Sequence, residues 1–404
     1  MSVPSDARLD TLLQHTGQAP LDPATGSGPV AMPSMRTSTV RFADMEALDR
    51  AQAAKARGER VPTYGRVGLQ THAALETLLC ELEGGTRAFL APSGMAAISM
   101  ALLALAGQGD HILAADCVYA PVRYLHKTIL SRMGVRMDFV RPTVEALTAA
   151  LRPETRVLYL ESPGSLLLEM LDLPALARWG RAHGLVVVVD NTWGSGYVYR
   201  PLALGADVSV VAATKYIGGH SDLMLGAAVA CDEALNRRLG ETHYALGSTV
   251  SADDAWLALR GARTLGLRMR QSAVHALEVC RWLESRPEVS RLFHPAWPAD
   301  PGHALWRRDA QGSNGLLSVA VDFDGAGARR LIDALRLFGI GYSWGGYESL
   351  VTQVEPQALQ THGYWAEQAD ARLRAGSVLR LHIGLEDPRD LIADLQQAFT
   401  QALA

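Results

Sequence analysis

Residues 184–192, GLVVVVDNT, and residues 207–215, DVSVVAATK, decide the fold that we predict for this 404-residue chain. Both stretches are apolar without polar alternation, which is typical of strands that other elements cover on both faces. Two similar runs come earlier, HILAAD at 111–116 and RVLYLES at 156–162, and segments of helical length separate the runs. This alternation predicts an α/β domain built on a mostly parallel sheet between layers of helices.

Two helices can be placed beside these strands. THAALETLLCELEGG, residues 71–85, repeats leucine at helical spacing and ends in a Gly-Gly pair that stops a helix. Residues 88–109 hold no charged side chain, which meets the length criterion for a membrane span. Because Pro92, Ser93 and Gly94 interrupt this run, we interpret its remainder as a buried helix and expect no membrane partner.

Composition argues against several classes of function. The net charge is -4 and no dense Lys/Arg run occurs, so we expect no nucleic-acid partner. The cysteines lie far apart and no histidine has zinc-ligand spacing, so we expect no metal site. With no signal pattern in the opening residues MSVPSDARLD, this cysteine usage predicts a cytoplasmic protein.

Three segments of different character divide the chain. Residues 1–65 include a stretch rich in Pro, Ser and Gly, so we expect an arm that contacts a neighbouring subunit. Residues 66–261 carry the alternating pattern and are expected to form the large domain. Residues 262–404 contain the strand LLSVAVDF and a final amphipathic helix starting at Asp387-Pro388, which predicts a smaller α+β C-terminal domain.

Two strands end in side chains that suit a pyridine-aldehyde cofactor. In an open parallel sheet, ligands bind outside the carboxyl ends of the strands, where Asp190 and Lys215 lie. A lysine whose pKa is lowered by burial can form a Schiff base with an aldehyde. A buried aspartate beneath the ring would keep the ring nitrogen protonated, which makes the ring an electron sink. The pair predicts pyridoxal 5'-phosphate, although an aspartate that caps a turn and a surface lysine remain an alternative.

A phosphate group would need donors as well. APSGMAAISMALLALAG predicts a helix with Ser93 at its N-cap and with the free backbone N–H groups of Gly94 and Met95 at its positive end. In TYGRVG, Tyr64 offers a hydroxyl and Arg66 a guanidinium that suits a phosphate dianion. They lie at the end of the arm, Tyr64 within it and Arg66 directly after it, and could serve a neighbouring subunit. Plain helix capping and a turn with a solvated arginine are the alternatives.

Longer motifs occur in a fixed order: YGRVG, CELEGG, ESPGS, VDNTW, AATKYIGGHSD, YSWGGYESL and LRLHIGLED. From about residue 60 to the C-terminus, the chain resembles the Cys/Met-metabolism pyridoxal-phosphate enzymes. The resemblance implies the aminotransferase-like fold (fold type I) with its smaller C-terminal domain. It also implies a homo-oligomer, a tetramer built from dimers that share their cofactor sites.

The resemblance implies a role for individual residues. Lys215 matches the lysine that bonds the cofactor and moves protons, and Asp190 matches the partner of the ring nitrogen. Tyr119 matches the tyrosine that stacks on the ring near the leaving group. The remaining matches bind phosphate from the same chain or from across the dimer: Gly94, Met95 and Thr214 from the same chain, Tyr64 and Arg66 from the other.

Substrate contacts are implied in the same way. Arg380 matches the arginine that holds the substrate α-carboxylate through a bidentate pair, and Ser343 matches the residue beside that carboxylate. Trp344 and Tyr342 would line the pocket for the distal part of a thioether amino acid.

The members of the family that the chain resembles most cleave cystathionine by β-elimination to homocysteine, pyruvate and ammonia, in methionine biosynthesis. Four departures from the γ-cleaving members favour β-elimination: Ala212, Ser165, Ala120-Pro121 and Trp344. A broader cysteine-S-conjugate β-lyase or cysteine desulfhydrase would use the same residues. A cofactor-binding regulatory protein is a remote alternative, since no basic helix-turn-helix segment is present.

Overall fold

A computed structural model describes residues 7–368 and 370–403. Residues 1–6 of the expected arm and residue 404 of the expected last helix lie outside the described residues. The strands are β1 Arg87–Ala91, β2 His111–Ala115, β3 Arg136–Val140, β4 Thr155–Glu161, β5 Val186–Asp190, β6 Val208–Val211, β7 Gly226–Ala230, β8 Val289–Phe293, β9 Leu316–Val321, β10 Gly339–Ile340, β11 Leu350–Gln353 and β12 Ser377–His382.

The helices surround two sheets. They are α1 Leu9–His15, α2 Met45–Ala56, α3 Gln70–Glu83, α4 Gly94–Leu105, α5 Pro121–Leu125, α6 Val144–Ala150, α7 Leu173–Ala182, α8 Glu233–Ala245, α9 Ala252–Ala262, α10 Leu265–Glu284, α11 His303–Asp309, α12 Gly325–Ala334, α13 Pro356–Gln360, α14 Gly363–Ala366, α15 Ala371–Ala375 and α16 Pro388–Leu403. In the part of the chain that is described, no helix is both long and apolar enough to cross a membrane.

The larger sheet has seven strands in the order β1-β7-β6-β5-β4-β2-β3. Neighbouring strands from β6 through β5, β4 and β2 to β3 are parallel, and only β7 runs against its neighbours β1 and β6. The expected mostly parallel sheet is confirmed. The four apolar runs quoted above form β2, β4, β5 and β6, and most of their side chains are buried because helices cover both faces.

Helices α3 and α4 form where the sequence predicts them. Leucines of α3 lie in the core, and the helix ends at Gly84, whose φ of 80° is left-handed. Helix α4 begins after Ser93, whose side chain accepts a hydrogen bond from the backbone N–H of Ala96. The uncharged run at 88–109 therefore divides into β1 and α4, which are both buried parts of one core.

The second sheet has the order β10-β11-β12-β9-β8 and lies in the C-terminal third of the chain. Its core includes residues of α10, α12 and α16. Helix α16 begins as expected, because Asp387 accepts a hydrogen bond from the N–H of Arg389 at 2.9 Å. Helix α10 contributes Met269 to the core of the large sheet and Leu283 to the core of the small one, so it connects the two.

The expected arm contains two helices that its weak periodicity did not reveal. Helix α2 begins after Asp44, whose side chain accepts the N–H of Ala47 at 2.7 Å. In α1, Leu13 is buried and belongs to the same core as Leu75 of α3. The arm therefore packs partly on its own chain.

Candidate active site

The carboxyl ends of β4, β5 and β6 meet at one edge of the large sheet. Glu161 at the end of β4 pairs in register with Asp190 at the end of β5, and Asp190 pairs with Val210 of β6. Lys215 follows β6 after a turn in which its N–H donates to the carbonyl oxygen of Ala212 at 3.1 Å. Two of the residues singled out in the sequence, Asp190 and Lys215, are thus brought to the same edge.

The Lys215 amine lies beside a loop of the C-terminal region. Its Nζ donates to Ser343 Oγ at 2.8 Å and lies 5.2 Å from the centre of the Trp344 ring. Burial and the positive charge of Arg380 lower the pKa of Lys215 to about 8, whereas Asp190 acts in the opposite direction. A lysine in this state is partly neutral near physiological pH, and a neutral amine is required to attack an aldehyde.

Asp190 is buried and retains capacity to accept a hydrogen bond. Its Oδ1 accepts from both the backbone N–H of Thr192, at 2.9 Å, and the Thr192 hydroxyl, at 2.6 Å. Among the described residues, Oδ2 has no such donor. Burial raises the pKa of this carboxyl, and a cation placed beside Oδ2 would favour its ionised form.

The start of α4 faces the end of β6. Ser93 Oγ satisfies the N–H of Ala96, and the first N–H groups of a helix have no partner within it, which leaves those of Gly94 and Met95 for a ligand. Position 94 needs glycine, because a Cβ there would lie 2.6 Å from the Cβ of Ala212. The Thr214 hydroxyl is engaged elsewhere, since it hydrogen-bonds both the N–H and the carbonyl oxygen of Leu225.

Arg380 lies in β12 and reaches the same site from the small sheet. Its Nη2 donates to the carbonyl oxygen of Tyr342 at 2.7 Å. Burial lowers its pKa, while Tyr119 and Glu161 have the opposite effect, so these groups lie near the guanidinium. The Tyr342 side chain is 86% exposed and only its backbone takes part in this contact. The structure therefore brings Arg380, but not the Tyr342 ring, to Lys215.

Glu161 belongs to the site, although the sequence reasoning missed it. Its Oε2 accepts the backbone N–H of Tyr119 at 2.6 Å and so fixes the loop that carries this tyrosine. Burial and then the charge of Asp190 raise the pKa of Glu161 well above its usual range. The available signal was its position: like Asp190, it is a carboxylate at the end of a buried parallel strand.

Tyr64 and Arg66 are not brought to this edge within the chain. Arg66 donates to the carbonyl oxygen of Tyr244 at 3.1 Å and lies over the Tyr244 ring at 4.6 Å. Within the described part of the chain, Arg66 makes no ion pair with a carboxylate. The Tyr64 side chain is 47% exposed. Tyr64 is therefore exposed, whereas Arg66 is partly buried against Tyr244.

The donors and acceptors of the site fit pyridoxal phosphate. Lys215 would hold the aldehyde carbon, the open Oδ2 of Asp190 would accept the ring N–H, and the start of α4 would hold the phosphate. Among the described residues, the Lys215 amine makes one hydrogen bond, to Ser343, and Asp190 Oδ2 accepts none.

Comparisons with known proteins agree with this fit. A model of the family described as "Cys/Met metabolism PLP-dependent enzyme" matches residues 10–400. The chain is 58% identical over 402 residues to a cystathionine beta-lyase of Bordetella avium, with 100% of both chains covered. It is 39% identical to the cystathionine beta-lyase MetC of Escherichia coli K12, with 98% of this chain and 99% of that protein covered.

A solved structure shows the same fold. It is a cystathionine gamma-lyase from Lactobacillus plantarum complexed with L-serine, 32% identical, with a TM-score of 0.85 and coverage of 98% of this chain and 100% of that chain. Since the family model and these relatives span nearly the whole chain, the protein belongs to the Cys/Met metabolism PLP-dependent enzyme family.

Proposed function

We propose that this protein is a carbon–sulfur lyase that uses pyridoxal phosphate to cleave cystathionine by β-elimination, with homocysteine, pyruvate and ammonia as products. The observation that carries the proposal is the 58% identity over the full chain to a protein named cystathionine beta-lyase. The neighbourhood of Lys215, Ser343 and Arg380 supports it, because it joins a proton-transfer group to a carboxylate-binding group.

The substrate would be held through its α-carboxylate. Arg380 is partly buried, and its positive charge lowers the pKa of Lys215. A guanidinium binds a carboxylate through two parallel hydrogen bonds. Ser343 Oγ, which now accepts from Lys215 Nζ, could donate to the same carboxylate. These contacts would direct the Cα–H bond toward Lys215.

Protons would then be moved by two side chains. When bound, the cofactor supplies an electron sink for the pair left behind as the Cα proton departs. Lys215 Nζ, with its pKa of about 8, is matched to accept that proton. The departing sulfur has a thiol pKa of about 8.5, so protonation assists its release. Burial raises the pKa of Tyr119, so its hydroxyl keeps its proton and can donate it there.

A broader cysteine-S-conjugate β-lyase, or a cysteine desulfhydrase, is a second candidate that one observation favours. The Tyr342 side chain is 86% exposed, and Ser343 is exposed as well, so within one chain the site is open beyond the carboxylate position. An open end would accept several substituents on sulfur.

The first prediction distinguishes cleavage of the Cβ–S bond of cystathionine from cleavage of its Cγ–S bond. With cystathionine, purified protein should release pyruvate and homocysteine, because Ala212, Ser165, Ala120 and Trp344 favour loss of a β-thiolate. Products are identified by chromatography, and cystine and djenkolate are assayed in parallel for the broader activity. Lys215→Ala protein serves as the blank. If 2-oxobutyrate and cysteine dominate instead, the enzyme is a γ-lyase and the β-lyase proposal is wrong.

We also propose that the sites are shared within a homodimer, two of which form a tetramer. Arg66 is a cation without a carboxylate partner among the described residues, and Tyr64 is half exposed. Both groups suit a phosphate that lies on another subunit. We propose with it the division into an arm at 1–65, a cofactor-binding domain at 66–261 and a C-terminal domain at 262–404. The free cysteines of the described chain suit the reducing cytoplasm that we propose.

The second prediction tests the sharing of sites. Tyr64→Phe,Arg66→Ala protein and Lys215→Ala protein should each be inactive. After subunit exchange at equal amounts, activity should return to about a quarter of the wild-type value, since half of the dimers are mixed and each has one intact site. The measurement is pyruvate release, with exchange verified by native mass spectrometry.

A matched control uses two residues of the same chain's site. Mixing Asp190→Ala protein with Lys215→Ala protein should restore nothing, because neither mixed site is complete. Absence of recovery in the first mixture, despite verified exchange, would contradict shared sites.

A further inference from the structure

The turn that follows Lys215 rests on a buried arginine of another element. Arg268, in the first turn of α10, is 8% exposed. Its Nη1 donates to the carbonyl oxygen of Tyr216 at 2.7 Å, and its Nη2 donates to that of Ile217 at 3.3 Å. These carbonyls belong to the two residues directly after Lys215. The guanidinium therefore holds the backbone of the turn that begins at Lys215.

The same guanidinium is fixed from its other side. Its Nη2 also donates to the carbonyl oxygen of Gly261 at 2.8 Å, and its Nε donates to Thr264 Oγ1 at 3.0 Å. Gly261 and Thr264 lie at the junction between α9 and α10. Arg268 thus links the turn after β6 to a junction that is more than forty residues later in the chain.

The backbone is packed closely around this guanidinium. Gly219 has a φ of 70°, and a Cβ at this position would collide with the guanidinium of Arg268. A Cβ on Gly261 would collide with the carbonyl oxygen of Gly218. Among the described residues, Arg268 makes no ion pair, so backbone carbonyls and one hydroxyl take all its recorded hydrogen bonds. Burial lowers its pKa to about 10, and it remains charged at neutral pH.

We propose that Arg268 is a positioning residue for Lys215, which it holds in place through the carbonyl groups of Tyr216 and Ile217. Tyr216 is 1% exposed and Ile217 is fully buried, so water cannot replace the lost donors if the guanidinium is removed. A buried carbonyl without a donor is unfavourable, and the turn would shift to satisfy it. Lys215 would then leave its place beside Ser343. The inference rests on the proposed role of Lys215.

A lysine could not take over this function. The guanidinium is a planar fork whose five donors point in fixed directions, which allows it to bond carbonyls of two separate segments at once. An ammonium group keeps the charge but concentrates its donors at one point. Any effect of Arg268→Lys therefore reports the loss of the fixed donor geometry of the guanidinium, since the positive charge is retained.

Displacement of the turn has a measurable consequence at the Lys215 amine. The charged groups that act on its pKa are Arg380 and Asp190, and the charge of Lys215 in turn lowers the pKa of the neighbouring His382. Burial is the largest cause of its lowered pKa of about 8. If the turn relaxes, the amine becomes more exposed, and its pKa should rise toward the ordinary value of lysine.

The third prediction uses full-length protein from which the cofactor has been removed. Lysines are labelled with acetic anhydride across a range of pH, and mass spectrometry follows each one. In wild-type protein the labelling of Lys215 should have its midpoint at about 8. In Arg268→Lys protein the midpoint should rise by about one unit. Lys55 and Lys127 in the same digest serve as internal references.

The reconstituted holoenzyme provides a second readout. Arg268→Lys should reduce kcat at least about tenfold while KM changes little, since Arg380 and the substrate contacts are retained. In a double-mutant cycle, Ser343→Ala should shift the Lys215 midpoint in wild-type protein but shift it much less beside Arg268→Lys. An arginine that only stabilises the fold would give additive shifts.

Two further variants keep the test decisive. Thr264→Val removes one acceptor of Arg268 and should shift the midpoint in the same direction by a smaller amount, so it decides the matter if Arg268→Lys does not fold. Arg263 is the matched control, because it lies at the same junction and its guanidinium also donates to backbone carbonyls, those of Leu13 in α1 and Thr16 directly after α1. Arg263→Lys should lower thermal stability and leave the Lys215 midpoint unchanged.

The outcomes separate this inference from the proposed function. An unchanged midpoint in both Arg268→Lys and Thr264→Val would overturn the positioning role, and so would an equal shift in Arg263→Lys. A separate result, failure of borohydride to attach the cofactor to Lys215 in wild-type holoenzyme, would contradict the role of Lys215 in the proposed function and would leave the contacts of Arg268 untouched.

Discussion

Lys215→Ala should reduce turnover of cystathionine by about 10⁴-fold or more and remove the visible absorption of the bound cofactor, since one side chain is lost that performs two tasks. Lys215 would hold the cofactor covalently and would also move the Cα proton. Its surroundings support both tasks: Nζ lies 2.8 Å from Ser343 Oγ, and its pKa is lowered to about 8. The measurements are pyruvate release and the absorption spectrum after saturation with pyridoxal phosphate.

The lysine content of the chain makes this test unusually clean. The sequence holds three lysines, Lys55, Lys127 and Lys215. Lys55 lies over the ring of Tyr244 at 4.4 Å, and Lys127 lies in the turn after α5. Lys55→Ala and Lys127→Ala should keep both the absorption band and the activity. A borohydride-stable cofactor adduct that survives in Lys215→Ala would show that another amine carries the cofactor.

The fold could be predicted in outline because the composition of the central strands shows that both of their faces are covered. A strand covered on both faces must be apolar at every position, and β5, with Val187, Val188 and Val189 fully buried, meets this condition. β3 lies at the edge of the sheet, where Arg136 is exposed, and its mixed composition gave no strand signal. β7, GAAVA, gave no strand signal because its position requires small residues. A Cβ on Gly226 would collide with the backbone of Ser93.

The proximity of Asp190 and Lys215 could be predicted, because Asp190 ends β5 and Lys215 follows the end of β6 by one turn. Glu161 had the same signal but was not recognised. The positions of other groups depend on contacts that span long stretches of sequence. Three examples are the hydrogen bonds of Thr214 with Leu225, the exposure of the Tyr342 ring and the hydrogen bond from Arg268 to the carbonyl oxygen of Tyr216. Spacing along the chain carries no information on such contacts.

The roles assigned to individual residues remain predictions. Variants of Arg380 test most directly whether a residue acts in substrate binding or in the chemical step. Its position is fixed by β12, where it pairs with Thr352 of β11 and Ser318 of β9. Its Nη2 already bonds the carbonyl oxygen of Tyr342, so the guanidinium is oriented before any substrate arrives. An oriented fork loses less entropy on binding a carboxylate than a mobile chain does.

Arg380→Lys should therefore reduce kcat/KM for cystathionine by about 10²-fold to 10³-fold, which corresponds to about 3–4 kcal/mol for the lost second hydrogen bond and the disturbed orientation. The visible absorption of the cofactor should persist, since Lys215 and its turn are untouched. This combination, a retained spectrum with impaired turnover, distinguishes Arg380→Lys from Lys215→Ala. Steady-state kinetics and the spectrum are measured on the same preparation.

Arg380→Met extends the test, because it removes the charge together with the fork. The positive charge of Arg380 is the second cause, after burial, of the lowered pKa of Lys215. In cofactor-free protein the Lys215 midpoint should therefore rise in Arg380→Met and stay near its wild-type value in Arg380→Lys. The control substrate is a thioether amine without the α-carboxylate, on which wild-type and Arg380→Lys proteins should differ little. If the two variants lose as much on this amine as on cystathionine, Arg380 does not bind the carboxylate, and its contribution lies in the charge that it holds near Lys215.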